Sequence, residues 1–299
     1  LGEYGLFNVD FEDYTAEYVK KAANDELAQY EKNRFVLNYG AKTADPPADQ
    51  SSMNDGRIEK GDISKLYKIS KNGGFGSGTN YLSIQSQGLT EGGTMWARSN
   101  ITPARINNKT LKFNAKFKIP SGSQWGNGRG AAIVFTDAVT DATKPNGSVG
   151  SVNMFADDLS SKYYLATVVY RDGANKLKVF GENIGDVESG KQYEVTVTMV
   201  PSAEGKYTVT AKLNDTVKVL EGKKIVDGVE TETVPTMSEI GNYAFVGVVS
   251  HANSYNTLVS FDNDTNKYLK DKDLIWFDDI SLMRANNFVL DDTKGLNGI

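Results

Sequence analysis

The alternation of apolar and polar residues constrains the fold of this chain more than any other feature. In the segment LKFNAKFKI, every second residue from Leu111 to Ile119 is apolar, and the residues between them are lysine or asparagine. A period of two places neighbouring side chains on opposite faces of a β-strand, so the segment predicts a strand with one buried face. The segments QYEVTVTM and KYTVTAKL alternate in the same way, and PSAEG between them predicts a hairpin turn.

Further short segments of this kind continue from Asn80 to Arg284, separated by Gly, Asn and Asp. YYLATVVY and KLKVF flank RDGAN and predict a second hairpin, while YAFVGVVS and LIWFDDISLM predict two late strands. Two packed antiparallel sheets explain half-buried strands of this number and length. The predicted fold class is therefore all-β, an antiparallel sandwich of two sheets.

The N-terminal region has a different character. TAEYVKKAANDELAQYEKNRF, rich in Ala, Glu, Lys and Leu, predicts a short helical segment between Thr15 and Phe35, with Leu27, Tyr30 and Phe35 as anchors on the sandwich. We expect residues 1–50 to form an extension packed on the sandwich, 51–288 the sandwich and 289–299 a tail or linker. Residues 221–239 are expected to form a loop or hairpin on one rim.

Composition excludes several classes of protein. The 299 residues include no cysteine, so disulfides, thiolate metal sites and thiol nucleophiles are excluded. A formal net charge of −5 gives no long-range attraction to phosphate backbones, and nucleic acid is not expected as a partner. No apolar segment approaches the roughly 20 residues needed to span a bilayer, so membrane insertion is not expected either.

The order of several motifs carries a family resemblance. An opening VDFEDY is followed by YLSIQS, by GNGRGAAIVFTD, by the GKQYEVTVTM and GKYTVTAKLND pair, and by a closing IWFDDISL. This order resembles the concanavalin A-like lectin/glucanase jelly rolls and related bacterial carbohydrate-binding modules, over Asn80 to Arg284 and the opening motif. The resemblance implies a jelly-roll sandwich, a polysaccharide or other glycan as partner, and a place outside the cell or on its surface.

The sequence lacks the catalytic motifs of the enzymes in that group. The E-x-D-x-E and E-x-D-x-x-E motifs of the hydrolases, which place two carboxylates on one strand face, do not occur. Asp278 and Asp279 are adjacent and therefore point to opposite faces of a regular strand. His251 is the one histidine, and neither R-x-E-x-R nor G-x-S-x-G accompanies it.

The sequence thus predicts a non-catalytic glycan-binding module of a secreted or surface-attached bacterial protein. Two alternatives remain open: a glycoside hydrolase or polysaccharide lyase of the same superfamily, and a structural or adhesive module that binds protein. What lines the concave sheet face would separate the three.

Candidate ligand-binding residues combine flat aromatic rings with groups that bind hydroxyls. The loop SGSQWGNGRG offers an aromatic flanked by polar residues, and packing beneath the loop is the alternative role for its tryptophan. Trp276 is expected in the core. The candidates are Trp125, Asn127 and Arg129 in that loop, Trp96 and Arg98 in a predicted strand, and Tyr164 and Tyr170 in a predicted hairpin.

Structural calcium is the one cofactor that the sequence suggests. The resemblance implies a site where the opening Glu12 meets Asp278 of the last strand. Strand alternation places Asp278 on one face with Ile280 and Leu282, and a buried carboxylate there requires a cation or hydrogen bonds from a turn. An alternative loop carries acidic and amide residues at calcium-loop spacing, namely Asp262, Asp264, Asn266 and Asp273, although Lys267 replaces its usual glycine.

Overall fold

The computed structural model shows an all-β protein, and it confirms the predicted sandwich class. The structure describes residues 3–10, 12, 36–38, 67–71, 75, 80–85, 95–100, 109–121, 130–136, 164–202, 204–240, 245–251, 261–262, 267–268 and 273–285. Two large antiparallel sheets contain nearly all of its strands.

The first sheet, sheet A, has the order β13-β12-β11-β6-β19-β4-β3, and β1 also pairs with β19. Its strands are β1 (Glu3–Val9), β3 (Tyr67–Lys71), β4 (Asn80–Gln85), β6 (Thr110–Lys118), β11 (Gln192–Pro201), β12 (Tyr207–Leu213), β13 (Thr216–Val219) and β19 (Asp273–Ala285). The long β19 lies at its centre. One edge of β19 is shared, because β4 pairs with the half up to Phe277 and β1 with the half from Ile280.

The second sheet, sheet B, has the order β10-β9-β8-β7-β16-β5-β2. Its strands are β2 (Val36–Asn38), β5 (Met95–Asn100), β7 (Gly130–Thr136), β8 (Tyr164–Arg171), β9 (Ala174–Val179), β10 (Glu182–Val187) and β16 (Phe245–His251). Two small hairpins and one helix complete the described elements: β14 (Lys223–Val226) with β15 (Val229–Glu232), β17 (Phe261–Asp262) with β18 (Lys267–Tyr268), and α1 (Met237–Ile240).

The apolar faces predicted from alternation form the core. On β6 every second residue from Leu111 onward is buried, and Phe113 and Phe117 are each 1% exposed. The Phe117 ring lies 6.5 Å from the ring of Phe277 on β19 and 5.5 Å from that of Tyr193 on β11. Burial of such side chains supplies about 1.5–3 kcal/mol each. The core face of sheet B carries residues such as Val168 and Leu177, which are paired across β8 and β9 and buried.

Both predicted hairpins are confirmed. β11 and β12 pair from Val195 with Leu213 to Pro201 with Tyr207. β8 and β9 pair up to Arg171 with Ala174, which leaves Asp172 and Gly173 as the turn. Both turn residues have positive φ, +52° and +87°, as a two-residue turn of the I′ type requires.

The rim segment predicted at residues 221–239 is the β14–β15 hairpin followed by α1. Asp227 and Gly228 form its turn, again with positive φ at both residues. Thr236 and Glu239 form a reciprocal pair at the start of α1, because each side chain accepts the backbone N–H of the other.

The N-terminal 50 residues contribute to both sheets. β1 is hydrogen-bonded to β19 in sheet A, and β2 pairs with β5 in sheet B. The helix predicted between Thr15 and Phe35 falls outside the described residues, as does the tail at 289–299. Within the described part, no helix has the length and hydropathy that crossing a bilayer requires.

Candidate functional site

An acidic junction lies where β1 ends, β4 begins and β19 passes both. β1 pairs with β19 up to Val9 with Ile280, and β4 pairs with it from Leu82 with Phe277. Glu12 bridges the two strand ends, because its Oε1 accepts the N–H of Asn80 at 2.7 Å and its backbone oxygen accepts from Asn80 Nδ2 at 3.3 Å. Asp278 and Asp279 therefore lie in β19 at the break between its two partners.

A β-bulge at this break changes the face on which Asp278 lies. Asp278 pairs with Lys116, whereas Ser281 pairs with Asn114, so β19 has one residue more than β6 over this interval. Asp279 has a φ of +47°. The expected alternation of Asp278 with Ile280 and Leu282 is therefore wrong, because the extra residue reverses the phase. Asp278 shares its face with Lys116, away from the core.

Asp278 is nevertheless only 4% exposed. Burial raises the pKa of its carboxyl to about 7, and the negative charges of Asp279 and Glu12 act in the same direction. The Asp279 N–H donates to Asp278 Oδ1 at 2.8 Å, and this bond, with the charge of Lys116, opposes the rise. Glu12 and Asp278 are thus close enough to interact electrostatically, as the two predicted metal ligands must be.

Lys116 neutralises the neighbouring carboxylate. Its Nζ lies 2.6 Å from Asp279 Oδ2, and this hydrogen bond raises the pKa of Lys116. Asp279 is therefore already paired, which leaves Asp278 and Glu12 as the carboxylates for a cation. Among the described residues, no three acidic or histidine side chains are placed so that they could bind one metal ion. Calcium here would need backbone, amide or water oxygens beside these two carboxylates.

Of the four candidate ligands in the alternative calcium loop, the first and the last, Asp262 and Asp273, are among the described residues. Asp262 pairs with Lys267 across the short β17–β18 hairpin, and Asp273 begins β19 opposite Gln85 in sheet A. Asp264 and Asn266 lie outside the described residues. The loop's first and twelfth positions thus belong to two different sheets.

The outer face of sheet B, the side opposite Val168 and Leu177, carries a group of cations. Lys176 and Lys178 on β9 and Arg171 at the end of β8 are half-buried there. Lys176 Nζ lies 3.7 Å from Asp186 Oδ1 on β10, with side chains 27% and 63% exposed. Three cationic side chains and one carboxylate therefore share this face of an acidic protein.

Strand register places two predicted ligand-binding residues on the same face. One row of paired positions runs from Trp96 through Val249 and Ala132 to Thr167 and Lys178. Four strand spacings separate its ends, about 19 Å in all. Arg98 occupies the same face one pair further along β5, opposite Gly247.

The single histidine lies in the adjacent row of this face. His251 pairs with Gly130, Gly130 with Val169, and Val169 with Lys176. The middle of the two rows consists of Ala132 with Thr167 and of Gly130 with Val169, and Ala132, Thr167 and Val169 are each at most 5% exposed.

The predicted tyrosines differ from one another. Tyr164 is only 2% exposed and burial raises its pKa, so it is a core residue, and the expectation that it contacts ligand is wrong. Tyr170 is half-buried near the end of β8, opposite Asn175. A register shift on β8 next to Tyr164 interrupts the alternation that would have placed the two on one face.

Two other expectations concern tryptophans. Trp125, with Asn127 and Arg129, lies outside the described residues. Trp276 was expected in the core, but it pairs with Lys118 on the outer face of sheet A and is half-buried. Lys118 Nζ lies 5.5 Å from its ring centroid, and the Tyr81 ring lies at 4.9 Å.

The sequence prediction missed the lysines of β9 and missed Asn80. A signal for the lysines existed, since in KLKVF the polar residues alternate with Leu177 and Val179 and must face away from the core. No local pattern marks Asn80 as the partner of Glu12, because 68 residues separate them.

No protein-family model and no curated protein sequence matches the chain. Several solved structures are similar at 10% identity. They include a peanut lectin in complex with a 9-residue peptide (TM-score 0.39, covering 74% of this chain and 90% of that chain). A carbohydrate esterase from a Shiga toxin-encoding bacteriophage has a TM-score of 0.45 and covers 95% and 100%. An endo-β-1,4-glucuronan lyase from the fungus Trichoderma reesei has a TM-score of 0.41 and covers 74% and 87%.

All three TM-scores are below 0.5, so these likenesses are distant.

Proposed function

We propose that this chain is a glycan-binding module without catalytic activity, exposed on or outside a bacterial cell, and that it binds polysaccharide on the outer face of sheet B. The observation that carries the proposal is the register of this face. It places the Trp96 position in one row with the half-buried Lys178, while the Arg98 and Lys176 positions lie in the neighbouring rows on its two sides. An aromatic position at one end and donors at the other match the apolar faces and hydroxyls of a sugar chain.

The charge of the face adds a preference among glycans. Lys176, Lys178 and Arg171 place ammonium and guanidinium groups at this edge of the face, and Lys176 Nζ lies 3.7 Å from Asp186 Oδ1. Charge-assisted hydrogen bonds to carboxylate or sulfate groups are about twice as strong as neutral ones. An acidic polysaccharide should therefore bind more tightly than a neutral one.

Affinity electrophoresis in gels containing polysaccharide tests this proposal. The parent protein is compared with the Lys176→Gln/Lys178→Gln double variant, in gels with acidic or neutral polysaccharides. We expect the double variant to bind at least about a hundredfold more weakly, since it loses two charged hydrogen bonds that contribute about 1.5–3 kcal/mol each. Lys212→Gln, an exposed lysine on sheet A, is the matched control and should not change the migration.

Unchanged retardation of the double variant would remove sheet B from the proposal. No retardation of the parent in any polysaccharide gel would remove glycan binding altogether.

A polysaccharide lyase is the second candidate function, and one observation favours it. His251 occupies the same face, in the row that ends at Lys176. A histidine can abstract a proton while cations neutralise the adjacent carboxylate. Cleavage of an acidic polysaccharide, followed by the absorbance of the unsaturated product and abolished by His251→Ala, would establish this activity and overturn a purely binding role.

We also propose that calcium binds at the acidic junction between Asp278 and Glu12. The support is the buried carboxylate of Asp278, whose charge the neighbouring Glu12 further disfavours. A cation that binds only the native state stabilises it by about 2.7 kcal/mol at a free concentration of 100 times its dissociation constant.

Thermal melts in calcium and in chelator test this site. We expect the calcium-dependent rise of Tm in the parent protein to disappear in Asp278→Asn and to remain in Asp273→Asn. The reverse pattern would place the ion in the Asp262 loop, and no rise in the parent protein would remove calcium.

A further inference from the structure

The exposed large hydrophobic residues of the described part lie in one stretch of 13 residues. They are Val217 (60% exposed), Val219 (60%), Ile225 (66%) and Val229 (63%). Two of them belong to β13, which is the outermost strand of sheet A in its strand order. Apolar side chains gathered on an edge strand mark a surface that pairs with another strand.

The hydrogen-bond phase of β13 shows which backbone groups point outward. Leu220 N–H donates to Val209 O at 2.9 Å, and the strand pairs in register with β12 from Thr216 with Leu213. Hydrogen-bonded and non-hydrogen-bonded pairs alternate in an antiparallel ladder. Val217 and Val219 are therefore the non-hydrogen-bonded positions, and their N–H and C=O groups point away from β12.

The outward edge ends on both sides of these two valines. Glu221 N–H, the next outward donor, already donates to the Glu182 carboxylate at 3.0 Å. At the other end, the turn from Asn214, with a φ of +48°, leads back to β12. The edge thus offers the N–H and C=O groups of two residues, which are separated by Lys218.

We propose that β13 pairs with β13 of a second copy of this chain, antiparallel about a two-fold axis through Lys218. Val217 then lies opposite Val219 of the second copy, and Val219 opposite its Val217. Each such pair exchanges two hydrogen bonds, so all eight outward groups of the two strands are satisfied. The same register packs valine against valine on the solvent face of the sheet.

The side chain of Lys218 does not oppose this pairing. It lies on the other face of β13, paired in register with Ala211, and extends towards sheet B. Its Nζ lies 3.0 Å from the Asn183 oxygen and 3.2 Å from Glu182 Oε1. The two lysines on the axis are therefore each neutralised within their own subunit.

The ends of the paired strands carry like charges. Asp215 lies opposite Glu221 of the second copy in this register, and both side chains are exposed. Salt screens repulsion between exposed charges. The dimer should therefore strengthen as the salt concentration rises, unlike an interface held by ion pairs.

Sedimentation equilibrium of the whole chain tests this inference. We expect the parent protein to associate from 32.7 kDa to twice that mass. Val219→Lys places charges in the interface and should raise the dissociation constant at least about tenfold. Thr198→Lys is the matched control, because Thr198 shares the solvent face with Val219 but lies two strands inward, and it should leave association unchanged.

A second variant isolates the backbone contribution. Val217→Pro removes an outward N–H that β12 does not use, so circular dichroism should show the fold retained while association weakens. A parent protein that stays monomeric at its highest soluble concentration would overturn the inference. A dimer that survives both valine variants, or that weakens equally in Thr198→Lys, would also overturn it.

Discussion

Asp278 is buried although its side chain is a carboxylic acid. It is only 4% exposed, and the negative charges of Asp279 and Glu12 act on it. Burial raises its pKa from 3.8 to about 7. The folded protein therefore holds a proton that the unfolded chain releases. Stability falls as the pH rises from about 4 to about 7 and levels off outside that window.

The pH dependence of Asp278→Asn should reveal this in calcium-free solution. Between about pH 4 and pH 7 the parent protein should lose on the order of 4 kcal/mol of stability. Asparagine is neutral at every pH, like the protonated acid, so the stability of the variant should not fall in this way. Urea melts at several pH values measure it. Asp186→Asn, 63% exposed at its side chain, should follow the parent protein. Equal pH slopes for Asp278→Asn and the parent would contradict the raised pKa.

At this scale the sequence indicated that Glu12 and Asp278 lie near each other, but it did not predict the face on which Asp278 lies. The opening VDFEDY and the closing IWFDDISL pointed to both residues, and in the structure the charge of Glu12 contributes to the raised pKa of Asp278. The prediction of the face of Asp278 failed because alternation assumes a regular strand. One extra residue at Asp279 reverses the phase, and single residues that form bulges leave no periodic signal.

Among the elements, the bulge in β19 depends on the backbone conformation of Asp279. Its φ of +47° is tolerated by aspartate and by glycine but not by a β-branched residue. Asp279→Val should therefore destabilise the protein by about 1–3 kcal/mol. Asp279→Gly loses only the part-exposed ion pair with Lys116 and should cost less than about 1 kcal/mol.

Chemical denaturation of the two variants, with Lys116→Met beside them, separates strain from the ion pair. Lys116→Met removes the ion pair and leaves the backbone conformation unchanged. It should resemble Asp279→Gly. Equal losses of unfolding free energy in Asp279→Val and Asp279→Gly would show that the positive φ at this position does not disfavour a β-branched residue.

The hairpins show what local sequence can predict about an element. Asp172-Gly173 and Asp227-Gly228 are the residues that I′ turns favour, and both turns form where the alternating segments meet. The turn between β9 and β10 uses Phe180 at a φ of +46°, which no turn rule predicts. Phe180 is fully buried, so packing of its ring decides the position of this turn.

In the whole molecule, the candidate sites are assembled by pairing between distant segments. The row from Trp96 to Lys178 needs four ladders, and the junction needs the end of β1 beside the start of β4. The strands of the row lie between Asn80 and Arg284, where alternation predicted strands, whereas β1 lies in the expected N-terminal extension and was not predicted. The order of strands in a sheet depends on long-range packing, so the sequence could nominate Trp96 and Arg98 without showing that they share a face with Lys176.

The two sheets are also joined at their edges, where β13 of sheet A lies near β10 of sheet B. Glu182 on β10 accepts the Glu221 N–H at 3.0 and 3.2 Å through its two oxygens, and Lys218 Nζ lies 3.2 Å from the same carboxylate. The Glu182 side chain is 17% exposed, so solvent screens its contacts only in part. This carboxylate ties the edge of one sheet to that of the other.

Glu182→Ala should lower the free energy of unfolding by about 1–3 kcal/mol, because it leaves a backbone donor and an ammonium group without their acceptor. Asp186→Ala, on the same strand, removes a 3.7 Å contact between more exposed side chains and should change stability by less than about 0.5 kcal/mol. Urea denaturation at a low protein concentration measures both without interference from association. Equal, small effects of the two variants would show that the sheets are held together by the core alone and that the Glu182 contacts add nothing to it.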